Sequence, residues 1–295
     1  MFVLDLKLDR EEVPPRDAAT VILIRNTADG AGVEVFCVER SKQSRFLGGA
    51  IVFPGGKLDA GDASDEWASL VTRVRAPART WTMPFANDEA HLRALAVAAC
   101  RETLEEAALL PVTGRVTQDD LFALRARLTS DPAALRAFLL ERDLLLDLDA
   151  LHPLARWVTP VSEARRYDAR FFVAVAPPGQ TGAHDEHETM ASFWATPLEV
   201  LRRWDAGEVQ VAPPTHRTLA LLSACTSTEA VLSLAAESCL DPICPRLVHQ
   251  KDGDTQTLAL TLPGDPEHEV HERRVPGPSR YVLRGERWRA EDAPR

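Results

Sequence analysis

The chain has 295 residues, 45% of them hydrophobic and 26% charged, with a net charge of −10 at pH 7. That balance fits a soluble globular protein large enough for one sizeable core or two smaller ones, and the acidic excess argues against a nucleic-acid or anionic-membrane partner. No apolar run reaches membrane-spanning length, residues 1–10 lack a signal-peptide core, and the five cysteines show no disulfide-like framework, so reduced thiols and a cytoplasmic setting are expected.

In chain order, residues 18–26 read as a buried strand, residues 29–32 as a turn, and the alternating residues 33–40 as its hairpin partner. Residues 48–53 read as a third strand entering Phe53-Pro54-Gly55-Gly56, where the glycines after proline predict a tight loop with free backbone N–H groups. Asp59 and Asp62 add acidity beside it. Ser64-Asp65-Glu66 then gives a helix signal, with Trp67, Leu70 and Val71 at helical spacing. Trp67 and Trp81 suit either a substrate pocket or a small core that holds this segment down, and the core reading is favoured.

Residues 92–110 contain neither Gly nor Pro and read as one helix ending before Pro111. On it Glu102, Glu105 and Glu106 share a face, opposite an apolar stripe of Val97, Cys100, Leu104 and Ala108. Carboxylates so spaced repel one another unless a cation sits among them, and all-oxygen ligands suit Mg²⁺ or Mn²⁺. Arg101, at the border of the two faces, is placed to orient a neighbouring carboxylate. A solvated acidic face with a counter-charge would use the same residues.

Taken together, the glycine loop and this helix resemble the Nudix box, written Gly, five residues, Glu, seven residues, Arg-Glu-apolar-any-Glu-Glu-any-Gly-apolar. Gly56 is its first glycine, Asp62 stands where its first Glu belongs, Arg101, Glu102, Glu105 and Glu106 match its core, and Leu109 matches its last apolar position. Asp62 is shorter than Glu by a methylene. Thr103 and Ala108 replace an apolar residue and a glycine, so the helix is expected to run further than usual. The box is also split, with residues 63–100 standing where the pattern has seven. A split box preceded by Arg40-Ser41 and by Gly48 through Gly56 resembles the Nudix subgroup that includes peroxisomal coenzyme A diphosphatases; the likeness covers most of residues 15–225. The ending Ala293-Pro294-Arg295 is not a peroxisomal address, so that location is not expected to carry over.

The resemblance implies an α/β fold, a Nudix-type α/β/α sandwich with a mixed sheet. Helical insertions are expected at 63–93 and 115–152 of a hydrolase domain spanning 1–240. It also implies that Arg40, Lys42 and Arg45 hold nucleotide phosphates beside Gly55 and Gly56. In the second insertion, residues 117–128 and 131–140 read as helices, with Asp131-Pro132 placing proline at a first helical position. Residues 156–160 and 170–176 read as strands, the second apolar and central. In the polar loop 180–189, Glu188 best matches the further Glu that Nudix enzymes supply as metal ligand or base, with Glu186 as the alternative; His184 and His187 stay unassigned.

Residues 197–206 and 215–237 read as helices separated by Pro213-Pro214, with Thr215-His216-Arg217 in packing rather than ligand contact. From 241 to 295 the proline-rich, alternating texture predicts a β-rich extension packed on the core or on a second subunit of a homodimer. His268-Glu269-Val270-His271-Glu272 has the wrong histidine spacing for a metalloprotease and reads as a solvated edge. The implied chemistry is metal-dependent hydrolysis of a nucleoside diphosphate linked to another moiety, a small-molecule nucleotide substrate led by coenzyme A or an acyl-CoA. Glu102, Glu105 and Glu106 would hold the metal, Arg101 would orient them, and Glu188 or Glu105 would act as base. An ADP-sugar or dinucleotide substrate, or a non-catalytic sensor, are the competing readings.

Overall fold

The computed structural model describes residues 6–41, 49–74, 85–183, 189–252 and 255–294. The hairpin β1 (Arg16–Asn26) and β2 (Val33–Arg40) leads into the short strands β3 (Ala50–Val52) and β4 (Gly55–Lys57). Next come α1 (Glu89–Ala107), α2 (Gln118–Leu128), α3 (Ala134–Arg142), β5 (His152–Val158), β6 (Tyr167–Val175) and β7 (Thr189–Ala195). The chain continues through α4 (Pro197–Ala206), β8 (Gln210–Val211), α5 (Pro213–Leu222), α6 (Thr228–Glu237) and β9 (Pro242–Ile243). It ends with β10 (Arg246–Asp252), β11 (Thr255–Thr261), β12 (Arg280–Arg284) and β13 (Arg287–Glu291).

The main sheet has nine strands in the order β8-β3-β2-β1-β6-β5-β9, with β4 paired to β1 and β7 to β2. It is mixed: β1 runs antiparallel to β2 and parallel to β6 over nearly its whole length. Both faces are covered, which explains the continuous apolar run of β1. Ala19, Val21 and Leu23 face the layer of α1, α2 and α3, while Ile22 and Ile24 face the layer of α4, α5, α6 and the C-terminal sheet. The α/β/α sandwich and the β-rich extension are as expected. The extension forms a separate antiparallel sheet, β10-β11-β12-β13. Among the described residues no helix is long and apolar enough to cross a membrane.

Several local readings need correction. The helix carrying the carboxylates starts at Glu89, capped by Asp88, and stops at Ala107 instead of running to residue 110. Ala108 stands where the box has glycine and still adopts the left-handed conformation, φ 50°. It holds there because the flanking backbone is fully used: Gln180 donates to Leu110 O and accepts from Leu110 N–H, while Gln118 donates to Ala108 O. The signal at Ser64 yields a 3-10 turn over Asp65–Ser69 rather than an α-helix, with Trp67 buried as core and bonded to Gly61 O; Trp81 lies outside the described residues.

Asp131 forms a turn and accepts from Ala133 N–H, so α3 begins after the proline. Pro213-Pro214 opens α5 instead of preceding it, and the segment read as one helix over 215–237 is two, α5 and α6. His216 and Arg217 are packed inside, His216 against the Tyr281 hydroxyl and Arg217 against the carbonyls of Pro276 and Pro278. His268 is buried rather than solvated, because Val270 N–H and Cys244 O occupy its two ring nitrogens.

Candidate active site at the split box

Strand β3 delivers the glycine pair directly onto β1. Gly55, Gly56 and Lys57 pair with Thr20, Ala19 and Ala18, and α1 lies across this strip. Glycine is required at both positions by close approach rather than by unusual torsions. A Cβ on Gly55 would meet Ala19 O at 2.5 Å, and one on Gly56 would meet the Glu102 carboxylate at 2.4 Å. Their absence lets the acidic turn of α1 sit directly on the loop backbone. One expectation fails here: Gly55 N–H is not free, because it donates to Glu106 Oε2 at 3.0 Å. The strand pairing turns that N–H toward the helix, and Glu106, only 6% exposed, needs a donor.

Arg101 joins the two halves of the box. Its guanidinium grips Asp62 in bidentate fashion, Nε to Oδ1 at 2.9 Å and Nη2 to Oδ2 at 3.0 Å, across 39 positions of sequence. Asp62 is itself buried and accepts from Asp59 N–H, which closes the short turn after the glycines. The remaining donors of Arg101 go to Lys57 O at 3.1 Å, to Glu102 at 2.9 Å and to Glu105 at 3.2 Å. Arg101 thus contacts the neighbouring carboxylates Glu102 and Glu105 as well as Asp62, the residue that stands at the position of the first box acid.

The electrostatics are unbalanced. Asp59, Asp62, Glu102, Glu105 and Glu106 crowd around Arg101, Arg40 and Lys57, so carboxylates outnumber cations. Burial, with Glu105 and Asp62 nearby, pushes Glu102 up to about 7 despite Arg101. Burial likewise raises Glu105. Arg101 stays charged: burial works against it, but the bonds and charges of Asp62, Glu102 and Glu105 win. Clustered oxygen donors with surplus negative charge, beside a loop stripped of side chains, fit a hard divalent cation. Among the described residues no three acidic or histidine side chains converge closely enough to hold a metal ion as they stand. The cause is visible: Arg101 occupies Glu102 and Glu105, while Gly55 N–H and Arg40 occupy Glu106.

Arg40 ends β2 and places Nη1 3.4 Å from Glu106 Oε1. This contact was missed, although the alternation of β2 contains it: Phe36 and Val38 face the α1 layer, and Arg40 follows two residues on. Arg45 and Lys42 lie outside the described residues, as do Glu188, Glu186, His184 and His187.

Set beside known proteins, residues 15–222 match the family model described as the NUDT19 Nudix domain. The chain is similar to the acyl-coenzyme A diphosphatase NUDT19 of Gallus gallus, 28% identical over 85% of this chain and 79% of that protein. The Xenopus laevis protein of the same name is 25% identical over 81% of this chain and 72% of its own length. Among solved structures, the NUDIX hydrolase from Alicyclobacillus acidocaldarius superposes with a TM-score of 0.63 at 33% identity, covering 75% of this chain and 96% of that one. The match spans both halves of the divided box that Arg101 rejoins, and this chain belongs to the NUDT19-type Nudix domain family as a Nudix diphosphate hydrolase.

Proposed function

We propose that the protein hydrolyses the diphosphate of coenzyme A or an acyl-CoA, giving adenosine 3′,5′-bisphosphate and a phosphopantetheine or its acyl derivative. The observation that carries this reading is the bidentate Arg101–Asp62 pair, which assembles a full acidic box despite the insertion. The substrate class is supported by the similarity to the acyl-coenzyme A diphosphatases of Gallus gallus and Xenopus laevis. The net charge of −10 agrees with a small-molecule substrate rather than nucleic acid or an anionic membrane, and the cytoplasm is the proposed setting.

Glu102, Glu105 and Glu106 would hold Mg²⁺ or Mn²⁺, which when bound supplies charge neutralisation for the phosphoryl oxygens and eases deprotonation of water. Arg101 keeps Glu102 and Glu105 aligned. Glu188 or Glu105 takes the proton from the attacking water. Arg40 and Arg45 hold phosphates of the nucleotide, and Gly55 and Gly56 leave room for the diphosphate against the backbone.

The test is product identification by mass spectrometry after incubation with coenzyme A, with and without magnesium. Adenosine 3′,5′-bisphosphate formed only in the presence of the ion is expected. Cleavage of ADP-ribose or a dinucleotide with coenzyme A untouched would overturn the substrate assignment. Binding of coenzyme A without turnover under all metal conditions would overturn the enzymatic one.

A further inference from the structure

The start of the polar loop, residues 180–183, is fastened to the C-terminal end of α1 through its backbone. Ala183 N–H donates at 2.7 Å to the carbonyl of Ala107, the residue after Glu106. Gln118, the first residue of α2, bonds both sides of this junction. Its Oε1 accepts from Thr181 N–H at 2.9 Å, from Thr181 Oγ1–H at 3.2 Å and from Gly182 N–H at 3.3 Å. Its Nε2 donates to Ala108 O at 3.0 Å. Further along α2, Arg125 donates to Ala183 O at 2.8 Å, and Trp194 of β7 donates from Nε1 to Thr181 O at 3.1 Å. Gly182, with φ +76°, lies so close to the sheet that a Cβ would meet the Phe36 ring at 2.7 Å and Leu109 at 3.0 Å.

The far end of the loop is anchored as well. Thr189 opens β7 and pairs with Arg40, whose guanidinium lies 3.4 Å from Glu106 Oε1. The five residues 184–188, which include Glu186 and Glu188, therefore join two described anchors, each tied to a neighbour of Glu106. Packing alone would let such a loop base slide, whereas directional bonds to its N–H and C=O groups set its register and tilt. Gln118 belongs neither to α1 nor to the loop, yet it bonds both.

We propose that Gln118 is a positioning residue for the hydrolysis inferred above. It holds the loop base against the end of α1, so that the chain leading to Glu186 and Glu188 sets out beside Glu106. The role presupposes the hydrolytic reading and gives α2 a part in it without adding a group to the box. A misplacement of about 1 Å at a reacting group can cost on the order of a hundredfold in rate, so a clamp outside the chemistry can govern kcat.

Gln118→Leu keeps the bulk of the side chain and removes both of its hydrogen-bonding ends. Magnesium-dependent hydrolysis of coenzyme A should then lose about tenfold to a hundredfold in kcat. KM should stay within about threefold, because binding in the ground state is untouched. In the metal-free protein, amide hydrogen exchange at Thr181 and Gly182 should quicken about tenfold or more, a readout independent of turnover. In a Glu186→Gln/Glu188→Gln background the same substitution should lower kcat by less than about twofold further, since the clamp then has nothing to aim. Gly182→Ala, a second variant, pushes the loop from the Phe36 side with Gln118 intact and should also lower kcat at nearly constant KM. Unchanged kcat in both variants, a loss seen only in KM, unchanged exchange in Gln118→Leu, or an undiminished loss in the double-Gln background would overturn the positioning role. Wild-type protein inactive on coenzyme A, ADP-ribose and a dinucleotide would overturn the hydrolytic reading and this role with it, whereas an active wild type with an unaffected Gln118→Leu overturns the role alone.

Discussion

Arg101 and Arg280 are both wrapped in carboxylates, yet one sits on α1 at the glycine loop and the other in the C-terminal sheet. Arg280 is 1% exposed and its bidentate partner Asp265 is fully buried, with Nη2 to Oδ1 at 2.6 Å. Ser279 and Gln250 complete the bonding, and Glu267 closes the set from the surface. Burial alone would raise Asp265, but the Arg280 and Ser279 bonds pull it below the usual carboxylate range. Around Arg101 the same kind of bidentate pair, with Asp62, is followed by two further acids that the single cation cannot neutralise, and Glu102 moves the opposite way. A balanced pair holds structure together. An arginine facing more carboxylates than it can neutralise leaves one of them, Glu102, raised.

The contrast can be broken at four points. Glu106→Gln should lower magnesium-dependent turnover about 10³-fold. The amide oxygen can still accept from Gly55 N–H, so thermal stability should move by only a few degrees; unchanged kcat would remove Glu106 from the site. Asp265→Ala leaves a buried guanidinium without its main partner and should cost about 3–5 kcal/mol in denaturant unfolding. A loss under about 1 kcal/mol would mean that the Arg280 cluster is not structural. Asp62→Asn keeps the shape but loosens Arg101, and activity should fall about tenfold to a hundredfold as the neighbouring carboxylates lose their alignment. If that change destabilised the fold as much as Asp265→Ala, the proposed difference between the two clusters would vanish.

The smallest effect concerns pH. Glu102 is raised from 4.5 to about 7 in the metal-free protein, so the folded state binds more protons than the unfolded chain between those values. Its contribution to stability is therefore full below 4.5 and lost as pH rises through about 7. Carboxyl NMR should follow Glu102 titrating near neutrality, and added magnesium should pull that titration down. A titration near 4.5 without metal would contradict the overload.

Much of this was legible in the sequence because it rests on short-range patterns. The apolar run of β1, the alternation of β2 and the carboxylate spacing on α1 each follow from local periodicity. The split box was legible as two halves, but not the contact that closes it, because a pair 39 positions apart leaves no periodic trace. The end of α1 was misjudged for a similar reason. Nothing local to Ala108 says that Gln180, far along the chain, will claim the backbone of Leu110 and force the helix to stop. The status of Gly55 N–H depended on the pairing of β4 with β1, and that of His268 on the path of a proline-rich loop. Both are tertiary outcomes.

Strand β9 has a consequence for any attempt to shorten the protein. Pro242 and Ile243 lie beside Arg156 and Trp157 of β5, closing one border of the main sheet before the chain leaves for β10. A stop after residue 240 would therefore do more than delete an appendage: it would strip the last rung from the sheet and bare β5 as an open template for intermolecular pairing. Such a fragment should be recovered as aggregate, while one ending just past residue 243 would keep that border sealed.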